Sequence, residues 1–562
     1  MKEKQRWPWE SSLPNDVVWN TPIKTYILPE LFEKSVVKWE KNLAIDFLGQ
    51  KFTYAELGGM VRKATKGLQL LGIAKGSRVA IMLPNCPAYV VLYWAILSAG
   101  GIVVNINPLY AMDELTAQID DSEPDILVTL DLKELYNKAA SALNQTSLKH
   151  IIIVSLSKEL PFLKGKLFSI FKYKELAKIK ANEKIIRWHD LLDNDSAYQK
   201  PIIDQSDIAV LQYTGGTTGL PKAAMLTHKN LSANIEQGTL FFPQTIPGKE
   251  VTLCVLPLFH VFAMTVVMNF SIKNGAEMVL LPRFNIDQML KTIVRTKPTF
   301  FPAVPTIYIS VNNHAGVKSG KYDLSSIKAC LSGGDALPID VQETFEKITG
   351  CKLVEGYGLS ETSPIVACNP STGQSRSGSL GLPAPQTIIE IVDLDDKSKT
   401  LSQGEVGEIC ISGPQIMKGY WKKEAETNAA LLDGRFHTGD VGYIDEDGYI
   451  YLIDRIKEVI ISSGYNVYPR YIEEAIYKHT SVEEVIVIGI NDPYRQQRPK
   501  AFIKLSPEED LTSSALLDFL SDKLSPIEMP KDIEFRADLP KTAVGKLSKK
   551  ELIEEENSKP PN

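Results

Sequence analysis

The segment Leu211-Gln212-Tyr213-Thr214-Gly215-Gly216-Thr217-Thr218-Gly219-Leu220-Pro221-Lys222 carries the residue types that hold a polyphosphate. Three glycines let the backbone turn tightly and present successive N–H groups to phosphate oxygens. The threonine hydroxyls add donors, and Lys222 adds a positive charge. It is not a Walker loop, because no Gly-Lys-Ser/Thr follows at the required spacing, which sets P-loop kinases and GTPases aside. Taken alone, it could also be a flexible turn between a strand Ile208–Tyr213 and the strand after it.

Something must position that loop, and the rest of the chain says what. At 562 residues it exceeds one ordinary core, and roughly 150 residues per domain gives three or four units. Hydrophobic and charged contents of 44% and 23% are those of a globular protein, and a net charge of −6 argues against nucleic acid as a partner. Cys86, Cys254, Cys330, Cys351, Cys368 and Cys410 lack metal-ligand spacing and read as reduced, mostly buried thiols. The polar start MKEKQRWPWESSLPND has no signal-peptide apolar region, so a cytoplasmic location is expected. Two uncharged stretches read as buried core rather than membrane spans. Ala88–Val104 is broken by Gly100-Gly101, and Val251–Ile272 holds Pro257, His260 and Asn269.

Strand-length apolar runs (Arg78–Leu83, Ile126–Leu130, His150–Val154) alternate with helical patterns, which predicts βαβ units and parallel sheets. From Gly378 to about Asp454, short alternating runs between Gly and Asp turns predict a small antiparallel sheet or barrel. A last unit of about a hundred residues should have a helix from Pro469 and strands near Glu484–Ile490 and Lys500–Leu505. The fold class expected is therefore α/β. Lys158–Arg187 stands apart, with nine Lys/Arg against three Glu and apolar residues interleaved. It fits a segment lying on the inner face of an anionic membrane, although a solvated surface excursion is the commoner outcome for such a run.

Five further clusters follow the first loop: Ser332-Gly333-Gly334-Asp335-Ala336, Glu355-Gly356-Tyr357-Gly358-Leu359-Ser360-Glu361-Thr362, Phe436-His437-Thr438-Gly439-Asp440, Asp454-Arg455, and Leu539-Pro540-Lys541-Thr542-Ala543-Val544-Gly545-Lys546-Leu547. In this order and spacing, from Phe52-Thr53-Tyr54 to Lys546, the chain resembles the adenylate-forming superfamily of acyl-CoA synthetases, luciferases and peptide-synthetase adenylation domains. The resemblance implies a large N-terminal domain, 1–454, of two βαβ subdomains to about 377 and a β-barrel subdomain at 378–454. A hinge at 455–458 and a smaller mobile α+β domain at 459–562 complete it. It implies ATP, Mg²⁺ and coenzyme A as ligands. Thr214, Gly215, Gly216, Thr217, Thr218, Gly219 and Lys222 are then expected on the β- and γ-phosphates. Gly333, Gly334, Asp335, Ala336, Gly356 and Tyr357 are expected around the adenine, Gly358 among the cofactor-binding residues, Ser360 on the α-phosphate, and Glu361 with Thr214 on the metal. Asp440 is expected on the ribose hydroxyls, with Ile453 and Arg455 beside them, and His260 next to the adenylate. Lys546 is expected between the carboxylate and the α-phosphate, Lys457 as the hinge pivot, and Gly464 on the pantetheine path. For His260 a satisfied core histidine is the competing reading.

The wording Ser-Gly-Tyr-Asn-Val-Tyr-Pro at 463–469 resembles long- and medium-chain fatty acyl-CoA synthetases. Phe262, Ala263, Met264, Val267 and Phe301–Thr306 would supply an apolar acid pocket, where each buried CH₂ contributes about 0.8 kcal/mol. The gating Trp of some relatives has no counterpart beyond Phe262. Ala223 stands where a Gly usually follows the lysine, Ser548-Lys549-Lys550 replaces Leu-Arg-Arg, and Glu528 reverses a usual Lys charge. A fatty acid–CoA ligase is the leading expectation, with fatty acid, ATP and CoA as partners and a homodimer left open. A fatty acyl-AMP ligase loading a carrier protein, and a silent lipid-binding homologue, are the alternatives.

Overall fold

The computed structural model describes residues 7–179, 182–214, 221–462, 465–492, 494–507, 509–542 and 545–559. A seven-stranded sheet orders its strands Ile185–Arg187, His150–Val154, Ile126–Leu130, Arg78–Ile81, Ile102–Asn105, Ile208–Thr214 and Lys222–Thr227. All pairings are parallel except the last, where Thr214 lies opposite Lys222 across an antiparallel hairpin. A nine-stranded sheet has a parallel centre formed by Leu43–Phe47, Glu277–Leu280, Val251–Cys254, Phe300–Ala303, Ala329–Gly333 and Lys352–Gly358. The expectation of βαβ units is met in both sheets.

The helix Pro87–Ser98 is buried at every position, which explains why its sequence is apolar all round. Proline opens it and Gly100, at φ +78°, follows its end. The second uncharged stretch resolves into a strand Val251–Cys254, the Pro257–His260 turn, a π-helical segment Ala263–Asn269 and a short helix Phe270–Asn274. Among the described residues no helix is long and apolar enough to cross a membrane. All six cysteines are buried and unpaired.

The antiparallel unit contains Ile388–Val392, Gly407–Ser412, Leu431–Leu432, Arg435–Ile444 and Ile450–Arg455. Its fourth strand begins at Arg435, six residues before the run expected from alternation, and so takes in His437–Asp440. Gly439 at φ +74° lets the strand deform there, which breaks the period-two pattern without ending the pairing. Beyond it, Ile460–Ser462, Tyr465–Val467, Val482–Asp492, Gln496–Leu505 and Asp532–Phe535 form a separate five-stranded sheet. Buried apolar residues from Trp9 to Ile450 form one cluster, and those from Ile460 to Leu552 form two others. The chain thus folds around independent cores on either side of residues 451–459.

Candidate active site

Neighbouring parallel strands place Gly333 directly beside Gly356. Gly334 follows at φ +90°, a conformation that glycine adopts without strain. Gly358 has a different reason: a Cβ there would lie 2.0 Å from the Pro364 carbonyl oxygen, so backbone packing demands it. Tyr357 donates its hydroxyl to Asp440 Oδ2 at 2.5 Å, and Arg455 Nε donates to Asp440 Oδ1 at 3.1 Å. Asp440 and Arg455 are direct neighbours across the antiparallel ladder. Burial raises the Asp440 carboxyl above the usual range, and the Arg455 charge opposes that rise. Each carboxylate oxygen retains a second lone pair for another donor. Ile453 is buried behind this pair.

Glu361 lies in the 3₁₀ turn Ser360–Thr362 with its side chain almost fully buried. Burial raises its pKa, while the Tyr420 hydroxyl, 2.8 Å from Oε1, counters the rise. Lys222 Nζ lies over the Tyr420 ring at 5.2 Å, so Lys222 and the Glu361 carboxylate share one tyrosine. Backbone bonds hold this meeting in place: Met417 N to Glu361 O, Met225 N to Gly419 O and Trp421 N to Ala223 O. Thr214 ends its strand opposite Lys222. Gly215, Gly216, Thr217, Thr218, Gly219 and Gly464 fall outside the described residues.

Lys546 reaches this centre from the last domain. A Cβ built on Gly334 would lie 2.6 Å from Lys546 Cε and 3.0 Å from Nζ. Thr306 Oγ1 donates to the Gly545 carbonyl at 3.0 Å, which anchors the loop carrying the lysine. Lys546 lines a cleft with Leu256, Pro257, His260, Phe262 and Val304. Burial lowers the lysine pKa, and Asp335 opposes the change. Burial and the Lys546 charge push His260 down to about 3, so its ring is neutral. Its Nδ1 accepts from Phe262 N at 3.3 Å, which leaves the proton on Nε2. The ring is a neutral donor.

Of the apolar residues expected around an acid, Phe262 and Val304 line that cleft, whereas Ala263, Met264, Val267 and Phe301 are core. A second, mostly apolar cleft is walled by Ile235, Gly238, Phe242, Val266, Phe270 and Phe300. Sequence periodicity could not separate these roles, because the π-helical segment changes which residues face one way. Lys457 is exposed, and no side-chain contact defines a role for it.

Two residues escaped the sequence reading. Tyr420 ends the run Gly413–Tyr420, and its offset from Glu361 gave no sign of contact. Glu408 takes hydrogen bonds from His437 Nδ1 at 2.8 Å and Gly439 N at 3.0 Å, and it pairs with Lys397. Among the described residues, Glu408, Cys410 and His437 are the one cluster with metal-ligand proximity. The Lys397 ammonium pairs with Glu408, and the His437 ring and Gly439 N donate to it, so the cluster serves as a hydrogen-bonded brace for the turn before Asp440.

The profile of the AMP-binding enzyme family matches residues 32–421, and that of the AMP-binding enzyme C-terminal domain matches residues 471–546. A long-chain-fatty-acid–CoA ligase of Bacillus subtilis is 44% identical over 553 residues, covering 98% of both chains. One from Salmonella typhimurium is 36% identical over 565 residues, covering 99% of both. ATP-bound MatB from Rhodopseudomonas palustris superimposes with a TM-score of 0.82 at 27% identity, over 94% of this chain and 99% of that one.

Proposed function

The chain belongs to the AMP-binding enzyme family, and from that premise we propose that it joins a long-chain fatty acid to coenzyme A in two steps at one site. First, the acid's carboxylate oxygen attacks the α-phosphorus of ATP, the bond to the β-phosphate breaks, and pyrophosphate leaves. Next, the thiol of coenzyme A attacks the acyl carbon, AMP departs, and the thiol proton passes to solvent. The observation that carries this reading is Lys546, delivered by a separate core onto Gly334 and beside neutral His260. There the ammonium neutralises charge where the carboxylate meets the α-phosphate, and the His260 Nε2–H steadies an acyl oxygen. Asp440 accepts the ribose hydroxyls while Tyr357 and Arg455 hold it in place, and Gly333, Gly334 and Gly356 admit the adenine. One buried carboxylate with a hydroxyl nearby suits Mg²⁺, which is usually held by one or two carboxylates plus substrate phosphates. Glu361 and Thr214 are the residues for it, and once bound it offsets the charge of the phosphates.

The acyl chain occupies the cleft by the π-helical segment. Residues 455–458 act as the hinge, with Lys457 as pivot, so that the last domain withdraws Lys546 and presents residues 462–469 to the thiol. The protein works in the cytoplasm. The test is pyrophosphate release by purified protein, with and without coenzyme A. Release dependent on a fatty acid, with thioester formed when coenzyme A is present, is expected. No release with any acid of six to eighteen carbons overturns the proposal, and release without thioester moves it to a carrier-protein acceptor. Lys546→Ala should block adenylation and spare thioester formation from a supplied acyl-adenylate. Equal loss of both would refute the rotating domain.

A further inference from the structure

The helix Phe162–Phe171 is inverted relative to an ordinary surface helix. Phe162, Leu163, Ile170 and Phe171 are 71%, 73%, 65% and 76% exposed, and Leu167 and Tyr173 are exposed beside them. This outward apolar face is set by packing. Gly165 is the buried residue of the helix, and a Cβ there would lie 2.1 Å from the Ser157 carbonyl oxygen, so only this face can turn inward. Lys164 Nζ donates to the Leu48 carbonyl at 2.8 Å and pins the rotation from the side. Contiguous exposed apolar surface of this kind marks an interaction site.

The charge around it selects the partner. The stretch 158–187 holds nine Lys/Arg and three Glu in a chain whose net charge is −6. Two of the three acids are already engaged: Glu159 is buried and accepts from Ala88 N at 3.0 Å, and Glu175 pairs with Lys172. Lys166 and Lys174 are exposed around the apolar face, and Lys172, exposed beside them, is paired with Glu175. An apolar face with lysines at its margin matches a bilayer, where the chains take the face and anionic headgroups take the lysines. A second copy meeting this one by two-fold symmetry would bring the same positive charge against it.

We propose that the helix Phe162–Phe171 docks the protein on an anionic lipid bilayer, lying in the interface with Phe162, Leu163, Leu167, Ile170 and Phe171 among the acyl chains. Hydrogen bonds through buried side chains tie the turn before the docking helix to the backbone at Leu256, which lines the Lys546 cleft. Glu159 caps the helix that starts at Pro87, and Asn85, just before it, bonds Leu256 O at 2.9 Å and receives Leu258 N at 2.8 Å.

The test is flotation of the full-length protein with phosphatidylcholine vesicles, with and without phosphatidylglycerol. Binding is expected only with the anionic lipid and should weaken with salt. Leu163→Ser/Ile170→Ser/Phe171→Ser and Lys166→Gln/Lys172→Gln/Lys174→Gln should each lose at least about tenfold in vesicle affinity. Pyrophosphate release with a short, water-soluble acid should stay at the parent level and so report an intact fold. Because the native cysteines are buried, a polarity-sensitive dye on Ile170→Cys labels this face alone and should move to an apolar environment on binding. Unchanged binding by the serine variant, or a dye that stays in water on bound vesicles, overturns the proposal. A dimer in sedimentation velocity that the serine variant dissolves gives the face to a second copy and overturns it too. Vesicle binding is read without ATP or coenzyme A, so its failure is distinct from failure of the ligase reading.

Discussion

Gly334→Ala should behave as an adenylation-specific lesion. Gly334 has φ +90°, where an alanine costs about 1–3 kcal/mol of backbone strain. The new Cβ would stand 2.6 Å from Lys546 Cε, whereas carbon atoms in contact rest at about 3.5–4.0 Å. Something must retreat by about 1 Å, and the flexible end of the lysine yields more readily than the strand. A misplacement of about 1 Å in a reacting constellation slows chemistry by about 10²-fold, or ~2.7 kcal/mol. Acid-dependent pyrophosphate release should therefore fall by roughly two orders of magnitude. With acyl-adenylate and coenzyme A at saturation, the kcat for thioester formation should hold if Lys546 is withdrawn for that step as proposed, and crowding of the adenine by the new Cβ should raise only the KM for the adenylate. In the double variant with Lys546→Ala, the alanine at 334 should add no further loss to adenylation, since both changes remove one interaction. Equal slowing of both half-reactions, or additive losses in the double variant, would refute the steric argument.

Tyr420→Phe removes the hydroxyl that lowers the Glu361 pKa against burial, so the carboxylate should protonate more readily. The Mg²⁺ concentration for half-maximal pyrophosphate release should rise by about tenfold, and the defect should shrink as pH increases. Glu408→Gln loosens the brace under His437 and Gly439. The KM for ATP should rise by about tenfold while the KM for the acid holds, in initial-rate assays. Lys546 must be charged to act, and burial lowers its pKa from the ordinary 10.5. Adenylation is thus full below the lowered value and lost as pH rises through it, and Lys546→Arg should shift that alkaline limb upward in a pH profile. His260, held near 3, stays neutral at every pH where the enzyme is assayed, so His260→Gln should lower kcat without moving either limb.

Much of this protein was legible in the order of its residues. Three glycines before Lys222 mean a backbone that can wrap phosphates whatever surrounds it, and alternating apolar runs mean strands between helices. The cluster order from Thr214 to Lys546 carries the family, because each motif serves a local backbone need that survives in one dimension. The edges of that legibility have physical causes. Gly358 read as a nucleotide-contacting residue, and the fold adds a packing need the sequence did not show, since a Cβ there would meet the Pro364 carbonyl. The strand bearing Asp440 hid its start because Gly439 breaks the alternation that signals a strand.

What tertiary structure alone decided is which distant charges meet. Tyr420 reaches Glu361 across 59 positions, and Tyr357 reaches Asp440 across 83. Lys549, just before the last helix, pairs with Glu458 at 2.8 Å and with Glu473 at 3.4 Å. For the helix Phe162–Phe171 the sequence left open a membrane-surface segment or a solvated excursion, and packing of Gly165 against Ser157 decides that its apolar side turns outward. Local propensity and periodicity are properties of neighbours in the chain. Contact between sheets, the pKa values that burial sets, and the face a helix presents depend on packing that the chain order does not encode locally.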